Sequence, residues 1–421
     1  ITNINYSATV STYYPDGTLG TNTGSTIRGA ATSYNMTLEA NTKFENIQFN
    51  MSSNTLNAAG NNLIIGRGVT ASGTYCAASI SGYNSSNTSI STEQNYSIRV
   101  ESGSFQYMSL LVYGESTVVF SNKITVKGTL GCDYDRAKGS DGLLSIGEVY
   151  GSRRMRCTAT SNKDNTTFSF HVKSGTINDR FYLGSNLHSA NTNYLGKRVL
   201  FFEGGVVNSE IVGGLDHAAV SDPTTDVIKV RVTGGEFHSQ FYTAATTNDG
   251  IGARRLVFTG GTSYGWIAGG ANGTSSGDGI LQGNANIYFG GNAKCLYDTE
   301  NDQTFNSAKG GNIFGAGCGI SSSTTAGRVD NSTVVVADNA EVARDVYGGG
   351  NYGFVQTGGT TNLYVLGGTV HGSVFGGSNQ QQGQTVNITM KDGLVEGGIY
   401  GGSNATGTIN NNVPMPINGG Q

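Results

Sequence analysis

Arg180, Glu210 and Gln240 follow one another at thirty-residue intervals, and Asn178, Asn208 and His238 do the same two residues earlier. If residues thirty apart lie over one another, the six side chains form one polar patch, with Asp216 and His217 on the following turn. A carboxylate, a guanidinium and an imidazole on one face are groups that acid–base chemistry on a polysaccharide uses. Arg180, Glu210 and His238 are therefore the candidate catalytic residues of a surface groove. Against that reading, glycoside hydrolysis takes two carboxylates about 5 to 9.5 Å apart. This patch has one carboxylate beside an arginine, the composition of a solvated ion pair.

Three other sets could carry function. Tyr182, Tyr242, Tyr347, Phe375 and Tyr400, together with Tyr150 and Phe314, each directly follow an apolar residue. Exposed, such a column stacks on sugar rings; buried, it stacks on itself. Two acidic loops carry Asp133 and Asp135, and Asp298, Glu300 and Asp302. Alternate carboxylates offer oxygen ligands to a structural Ca²⁺, the one cofactor the chain suggests, although neither loop has EF-hand spacing and a solvated acidic loop is the alternative. Of the five cysteines, Cys132 and Cys157 bracket one of these loops and Cys295 and Cys318 the other. Each pair is either a disulfide formed in an oxidising compartment or two buried thiols filling core space. No C-x-x-C is present, so zinc and thioredoxin chemistry have no support.

What must position these residues is a repeat. Residues 363–379 read Leu-Tyr-Val-Leu-Gly-Gly-Thr-Val-His-Gly-Ser-Val-Phe-Gly-Gly-Ser-Asn, and residues 388–404 nearly repeat them. In outline this is h-x-h-x-x-G-x-h-x-x-x-h-h-G-G-x-N, with h apolar. Its central glycine recurs at Gly103, Gly175, Gly205, Gly235, Gly261, Gly291, Gly368 and Gly393, with Asn339 in its place once. Most units are 25–30 residues long, each with two period-2 stretches. Such units cannot close a core alone but share one when stacked. They are too short for the four-stranded blades of a propeller, and the L-x-x-L-x-L run of leucine-rich repeats is absent. The spacing predicts an all-β, single-stranded parallel β-helix, or β-solenoid, with two projecting loops. The terminal Asn recurs at Asn186, Asn272, Asn351, Asn379 and Asn404, where stacked amides would form a hydrogen-bonded ladder.

Composition agrees with that architecture. Of 421 residues 65 are glycine and only 4 proline, which excludes collagen. Charged residues make up 13% and the net charge is −4, so there is no electrostatic case for nucleic acid or an anionic membrane. No apolar run approaches a transmembrane helix. Residues 1–37 read as an N-terminal edge strand or cap, and 38–97 as irregular early coils with a Ser/Asn-rich loop over 77–97. Residues 98–410 read as the regular solenoid, with insertions near 131–148 and 298–312, and between Gly103 and Gly175 one further unit fits. Residues 411–421 read as the start of a tail or of a further domain. The chain starts at Ile1 without methionine and stops at Gln421 without a closing element, which suggests a piece of a longer chain or assembly.

Over residues 98–404 the arrangement resembles the right-handed parallel β-helix proteins of the pectin-lyase-like superfamily. The Val346-Tyr347-Gly348-Gly349-Gly350-Asn351 and Val374-Phe375-Gly376-Gly377-Ser378-Asn379 turns look like those of large repeat-bearing surface proteins of Bacteroidetes-type bacteria. The resemblance implies right-handedness, export to the cell surface, and polysaccharide or other surface proteins as partners. The Asn-Thr-Asp, Asp-Asp and Gly-His-Gly motifs of the superfamily's hydrolases are missing. The expectation is a non-catalytic stalk, adhesin or filament segment that contacts glycans; the alternative is a polysaccharide lyase or glycoside hydrolase.

Overall fold

The computed structural model describes strands between Ser25 and Thr158 together with residues 39–41, and then residues 167–420 apart from 184–196, 214–225, 245–249, 274–278, 299–309, 321–324, 354, 381–383, 406–412 and 414. The described residues contain no helix, hence none long and apolar enough to cross a membrane. Every pairing between strands of two or more residues is parallel, each strand lying over its counterpart one turn on. The protein is a parallel β-solenoid.

Each turn, or rung, runs over three faces. The rung at 197–212 shows the plan. Lys197–Phe202 forms the first face, Val206–Val207 the second and Ile211–Val212 the third. Later rungs join the first two faces in one bent strand, such as Asp226–Phe237 or Thr360–Val370. The third faces build a ten-stranded sheet from Thr129–Asp133 to Ile399–Tyr400.

Alternation along the first face decides which side chains go inward. Phe202, Val232, Phe258, Phe289, Val336 and Val365 occupy successive in-register positions and are at most 1% exposed. Fully burying such a side chain contributes about 1.5–3 kcal/mol, and one continuous cluster runs from Phe170 to Val395. The aromatic members interlock: Phe237 lies 4.8 Å from Phe202 and 5.6 Å from Phe258, ring centre to ring centre.

In the rungs from Gly175 onward the corner between the first two faces holds a left-handed residue. At Gly261 φ is +85°, and a Cβ there would sit 2.6 Å from Gly235 O of the rung below. Glycine is thus required twice, for its torsion and for its lack of bulk. In the rung of Val329–Val336 the left-handed residue is Asp338, with φ +58°, not Asn339. Asn339 instead stands over Asn292, their amides hydrogen-bonded at 3.4 Å. Asp338 Oδ2 accepts from Gly291 N at 2.7 Å and from the Tyr288 hydroxyl at 2.9 Å, which holds its carboxyl below the ordinary range.

Several elements differ from the sequence reading. Residues 77–81 are a strand, paired in parallel with Thr55–Asn57, and not part of a loop. Between Gly103 and Gly175 lie two rungs, not one. Val118 and Phe120 stand over Ile98 and Val100, and Leu144 and Ile146 follow over them in turn, up to Phe170 and Val172. Consequently most of 131–148 is strand, in Thr129–Asp133 and Gly142–Ser152. At the far end, Ile417 bridges Met390 in parallel, and residues 415–420 run beside the strand Thr385–Val395.

Candidate functional site

The predicted polar columns lie just past the second-face strands, on the turn that leads to the third face. Hydrogen bonds Asn208 N to Ile177 O and His238 N to Val207 O, both 2.9 Å, put Asn178, Asn208 and His238 one above another. Asn208 Nδ2 donates to Asn178 Oδ1 at 2.9 Å. In the neighbouring column Arg180 Nε meets Glu210 Oε2 at 2.7 Å, and Arg180 Nη1 donates to the Tyr182 hydroxyl at 3.2 Å. The Tyr182 bond, followed by the Glu210 charge, raises the guanidinium's already high pKa. Gln240 is turned aside, its Oε1 accepting from Ser239 Oγ at 2.6 Å. His238 does not join Arg180 and Glu210. Its Nε2 lies 3.5 Å from Glu236 Oε2, and its ring stacks on Tyr264 at 5.0 Å and 13°. The column therefore pairs its carboxylate with a cation, and the imidazole belongs to a different contact.

The aromatic column is in the third face, and most of it is buried. Tyr182, Tyr242, Tyr347 and Phe375 are 6%, 1%, 0% and 7% exposed, which corrects the reading of these four as a sugar-stacking surface. The two-residue strands bury both sides. Phe181 enters the main core while Tyr182 enters a second cluster behind it. Phe314, Tyr347, Phe375 and Tyr400 stack at 5.0, 5.0 and 4.9 Å with interplanar angles of 9–17°. That separation is the spacing of adjacent strands, so in-register rings have each other as partners. Among the column's residues whose burial is described, only Tyr400 is open, at 51%.

The asparagines close the same rungs. Asn379 Nδ2 donates to Asn351 Oδ1 at 2.9 Å, and Asn404 Nδ2 to Asn379 Oδ1 at 3.0 Å. Asn272 bridges Cys318 in parallel, so Cys318 holds this column's place in its rung; Asn186 lies outside the described residues. Cys295 and Cys318 are free and buried in separate clusters, so they do not form the disulfide read from their spacing. Register decides this: Cys295 stacks inside the core between Ser263 and Val342. Burial pushes both thiols far above their ordinary pKa. Cys132 and Cys157, in contrast, are direct backbone register partners on adjacent parallel strands. Asp298 is exposed, Asp133 ends the strand Thr129–Asp133, and Asp135, Glu300 and Asp302 lie outside the described residues. Among the described residues no three His, Cys, Asp or Glu converge as a metal would require.

The structure also assembles a charged group that the sequence reading missed. Lys294 Nζ meets Glu341 Oε2 at 2.7 Å, and His371 bridges Glu341 Oε1 at 3.4 Å and Glu396 Oε2 at 3.0 Å. The Glu396 bond, then that to Glu341, raises the His371 pKa, while Lys294 lowers that of Glu341. The imidazolium is lost as pH rises through that raised value, and both its ion pairs go with it. Beside this chain of charges an open groove of about 400 Å³ is lined by Asp338, Thr369, Asp392 and Leu394 among others. Asp338 is held as described above, and Asp392 Oδ1 accepts from Gly393 N at 2.8 Å. The missed signal lies in corner length. From Gly261 to the inward Ser263 is two residues, but from Gly291 to the equivalent Cys295 is four. A fixed offset from the central glycine therefore puts Lys294 and Glu341 in the wrong column.

No protein-family model matches the chain, and no curated protein or solved structure matches it. Fold and side-chain geometry are what bear on function.

Proposed function

We propose that the chain is a non-catalytic, structural β-solenoid of the cell surface or of an extracellular filament, a stalk or adhesin segment within the pectin-lyase-like type of architecture. One observation carries this reading: the side chains that looked chemical are spent on their neighbours one rung away. Arg180 is held by Glu210, the third-face aromatics by one another, and His371 by Glu341 and Glu396. Contacts of this kind stabilise a rod, because each rung touches only the rungs beside it. Polysaccharide and other surface proteins remain the partner classes, reached through the exposed second face. The expected result is that the purified protein releases no reducing ends from acidic or neutral polysaccharides above the protein-free rate. Release that falls when Glu210 is changed to Gln would sink the structural reading and favour an enzyme.

Export has its own support in Cys132 and Cys157. Their positions are direct partners in adjacent parallel strands, where the strand spacing of about 4.8 Å falls within the range of Cα separations a disulfide spans. We expect three of the five cysteines to titrate as free thiols after denaturation without reductant, Cys295 and Cys318 among them. Five free thiols in protein recovered from an oxidising compartment would remove this support.

A further inference from the structure

The corner where the first face passes into the second holds an aromatic ring fixed beside a groove. Tyr288 points outward from the strand Leu281–Phe289. Its ring lies against Gly290, where a Cβ would sit 2.6 Å from the ring carbon Cε1. Its hydroxyl donates to Asp338 Oδ2 of the next rung at 2.9 Å. The side chain is only partly buried, so a ring held in place keeps one side open to solvent. Asp338 Oδ2 also takes Gly291 N, while its Oδ1 accepts no hydrogen bond among the described residues. Beyond Asp338 opens the groove of about 400 Å³, with Asn339, Gly367, Gly368, Thr369 and Asp392 in its walls. Gly367, where a Cβ would lie 2.7 Å from Asp338 N, leaves the floor bare. The rung of Asp338 pairs with the one below it and the rung of Thr369 with the one above, so this part of the groove is flanked by rungs on both sides.

The first face that leads to this corner changes character along the rod. In one outward column Lys229 and Arg255 are followed in register by Asn286, Thr333 and Asn362. In the next, Arg231 and Val257 are followed by Tyr288, Val335 and Tyr364. Cations thus give way to amide, hydroxyl, aromatic and aliphatic groups, all of them partly exposed. Tyr288 and Tyr364 lie two rungs apart, about 9.6 Å, a distance comparable with the length of a disaccharide. In the groove itself both charged residues, Asp338 and Asp392, are carboxylates. The cations of the neighbouring charge chain, Lys294 and His371, are already taken by Glu341 and Glu396.

We propose that this corner binds an uncharged polysaccharide, one sugar laying its C–H face on Tyr288 and placing hydroxyls in the groove at Asp338, Asn339 and Thr369. A pyranose has an apolar face of C–H groups and a rim of hydroxyls, so a fixed aromatic surface beside polar acceptors matches both. Asp338 Oδ1 accepts from a sugar hydroxyl, a charge-assisted bond and hence one of the stronger kind. Because Tyr288 is already clamped by Gly290 and Asp338, binding orders no further rotamer there. The same carboxylates repel a uronic acid, and that repulsion sets the specificity as much as the contacts do. The proposal rests on the reading of the chain as a glycan-contacting surface rod and narrows its partner from polysaccharides in general to neutral ones. No bond in the sugar is broken.

The test is electrophoresis of the whole protein through native gels cast with a soluble neutral polymer, in turn a β-glucan, a mannan and a galactan, and with polygalacturonate as the acidic control. Retardation by at least one neutral polymer, and none by polygalacturonate, is expected. Tyr288→Ala removes the ring and Thr369→Trp fills the groove; each is expected to raise the apparent Kd at least tenfold. Tyr288→Phe keeps the ring and should change it less than about threefold. Thr369 points outward from its strand, so its variant reads the groove even if Tyr288→Ala loosens the corner, and melting curves of all three check the fold. No retardation by any neutral polymer, retardation by polygalacturonate as strong as by a neutral one, or binding that either Tyr288→Ala or Thr369→Trp leaves unchanged would overturn the proposal. Those outcomes leave the structural reading standing, because it fails on release of reducing ends and not on binding.

Discussion

Gly261→Ala is expected to cost about 3–5 kcal/mol of stability, and Gly358→Ala only about 1–2 kcal/mol. The two glycines have nearly the same torsion, φ +85° and +84°. What separates them is the space around the missing Cβ. At Gly261 it would lie 2.6 Å from Gly235 O and 2.7 Å from Gly234 C, backbone atoms of the rung below; at Gly358 nothing lies within 4 Å. Gly358→Ala therefore measures the left-handed torsion alone. Gly261→Ala adds a collision that only separation of two rungs relieves, and separation breaks parallel hydrogen bonds on both sides of the corner. Urea unfolding of the two variants beside the parent checks this. Because rungs couple only to their neighbours, the Gly261 variant should also unfold in a broader transition with a lower apparent m. Equal losses in the two variants would show that stacking does not make glycine necessary at the corner.

The same corner explains how much of the fold could be read from the chain. Where a rung carries its glycine, at Gly175, Gly205, Gly235 and Gly261, the period and the inward pairs are legible, because φ above zero and the missing Cβ exclude other residues. Where the position in register is Ile124 or Val149, nothing marks the corner, and the pattern shows one unit with an insertion where the fold has two rungs between Gly103 and Gly175. Asp338 misled in a different way. Its side chain reaches the backbone of the rung below, so an aspartate holds a left-handed torsion that the pattern assigned to Asn339.

Site residues were legible as columns but not as environments. Spacing placed Arg180 over Glu210 and Tyr347 over Phe375, and in both pairs the side chains do meet. Period-2 alternation, however, assigns every second residue to solvent. It fails in the two-residue strands of the third face, where the aromatics have a second core to enter. Cysteine spacing failed for a related reason. Cys295 and Cys318 bracket a loop along the chain, yet the rung carries one into the main core and the other into the second cluster. Contact depends on the register between rungs, and a chain-order distance does not report it.

Tyr347→Ala is expected to cost about 4 kcal/mol, and Tyr347→Phe about 1–2 kcal/mol. Tyr347 is fully buried, with Phe314 and Phe375 each 5.0 Å away on its two sides. Its removal leaves a ring-sized cavity between two rings that the rungs hold in place, so little collapse can offset the lost contacts. The hydroxyl is a separate contribution. It donates to Asp345 Oδ2 at 2.9 Å, while Asp345 Oδ1 accepts from Ser373 N at 2.7 Å. Burial, reinforced by the Asp345 charge, lifts the phenol far above its ordinary pKa, so the proton stays on the hydroxyl and the bond holds across the working pH range. Tyr347→Phe keeps the stack and removes that donor, and Asp345 keeps its backbone partner, which is why the expected loss is the smaller one. A double-mutant cycle with Phe375→Leu isolates the ring–ring contribution, expected at about 0.5–1.5 kcal/mol beyond the buried area. If Tyr347→Ala costs no more than Tyr347→Phe, the stack is not holding the rungs together. The third-face aromatics would then need another explanation, with ligand contact at the exposed Tyr400 the first to test.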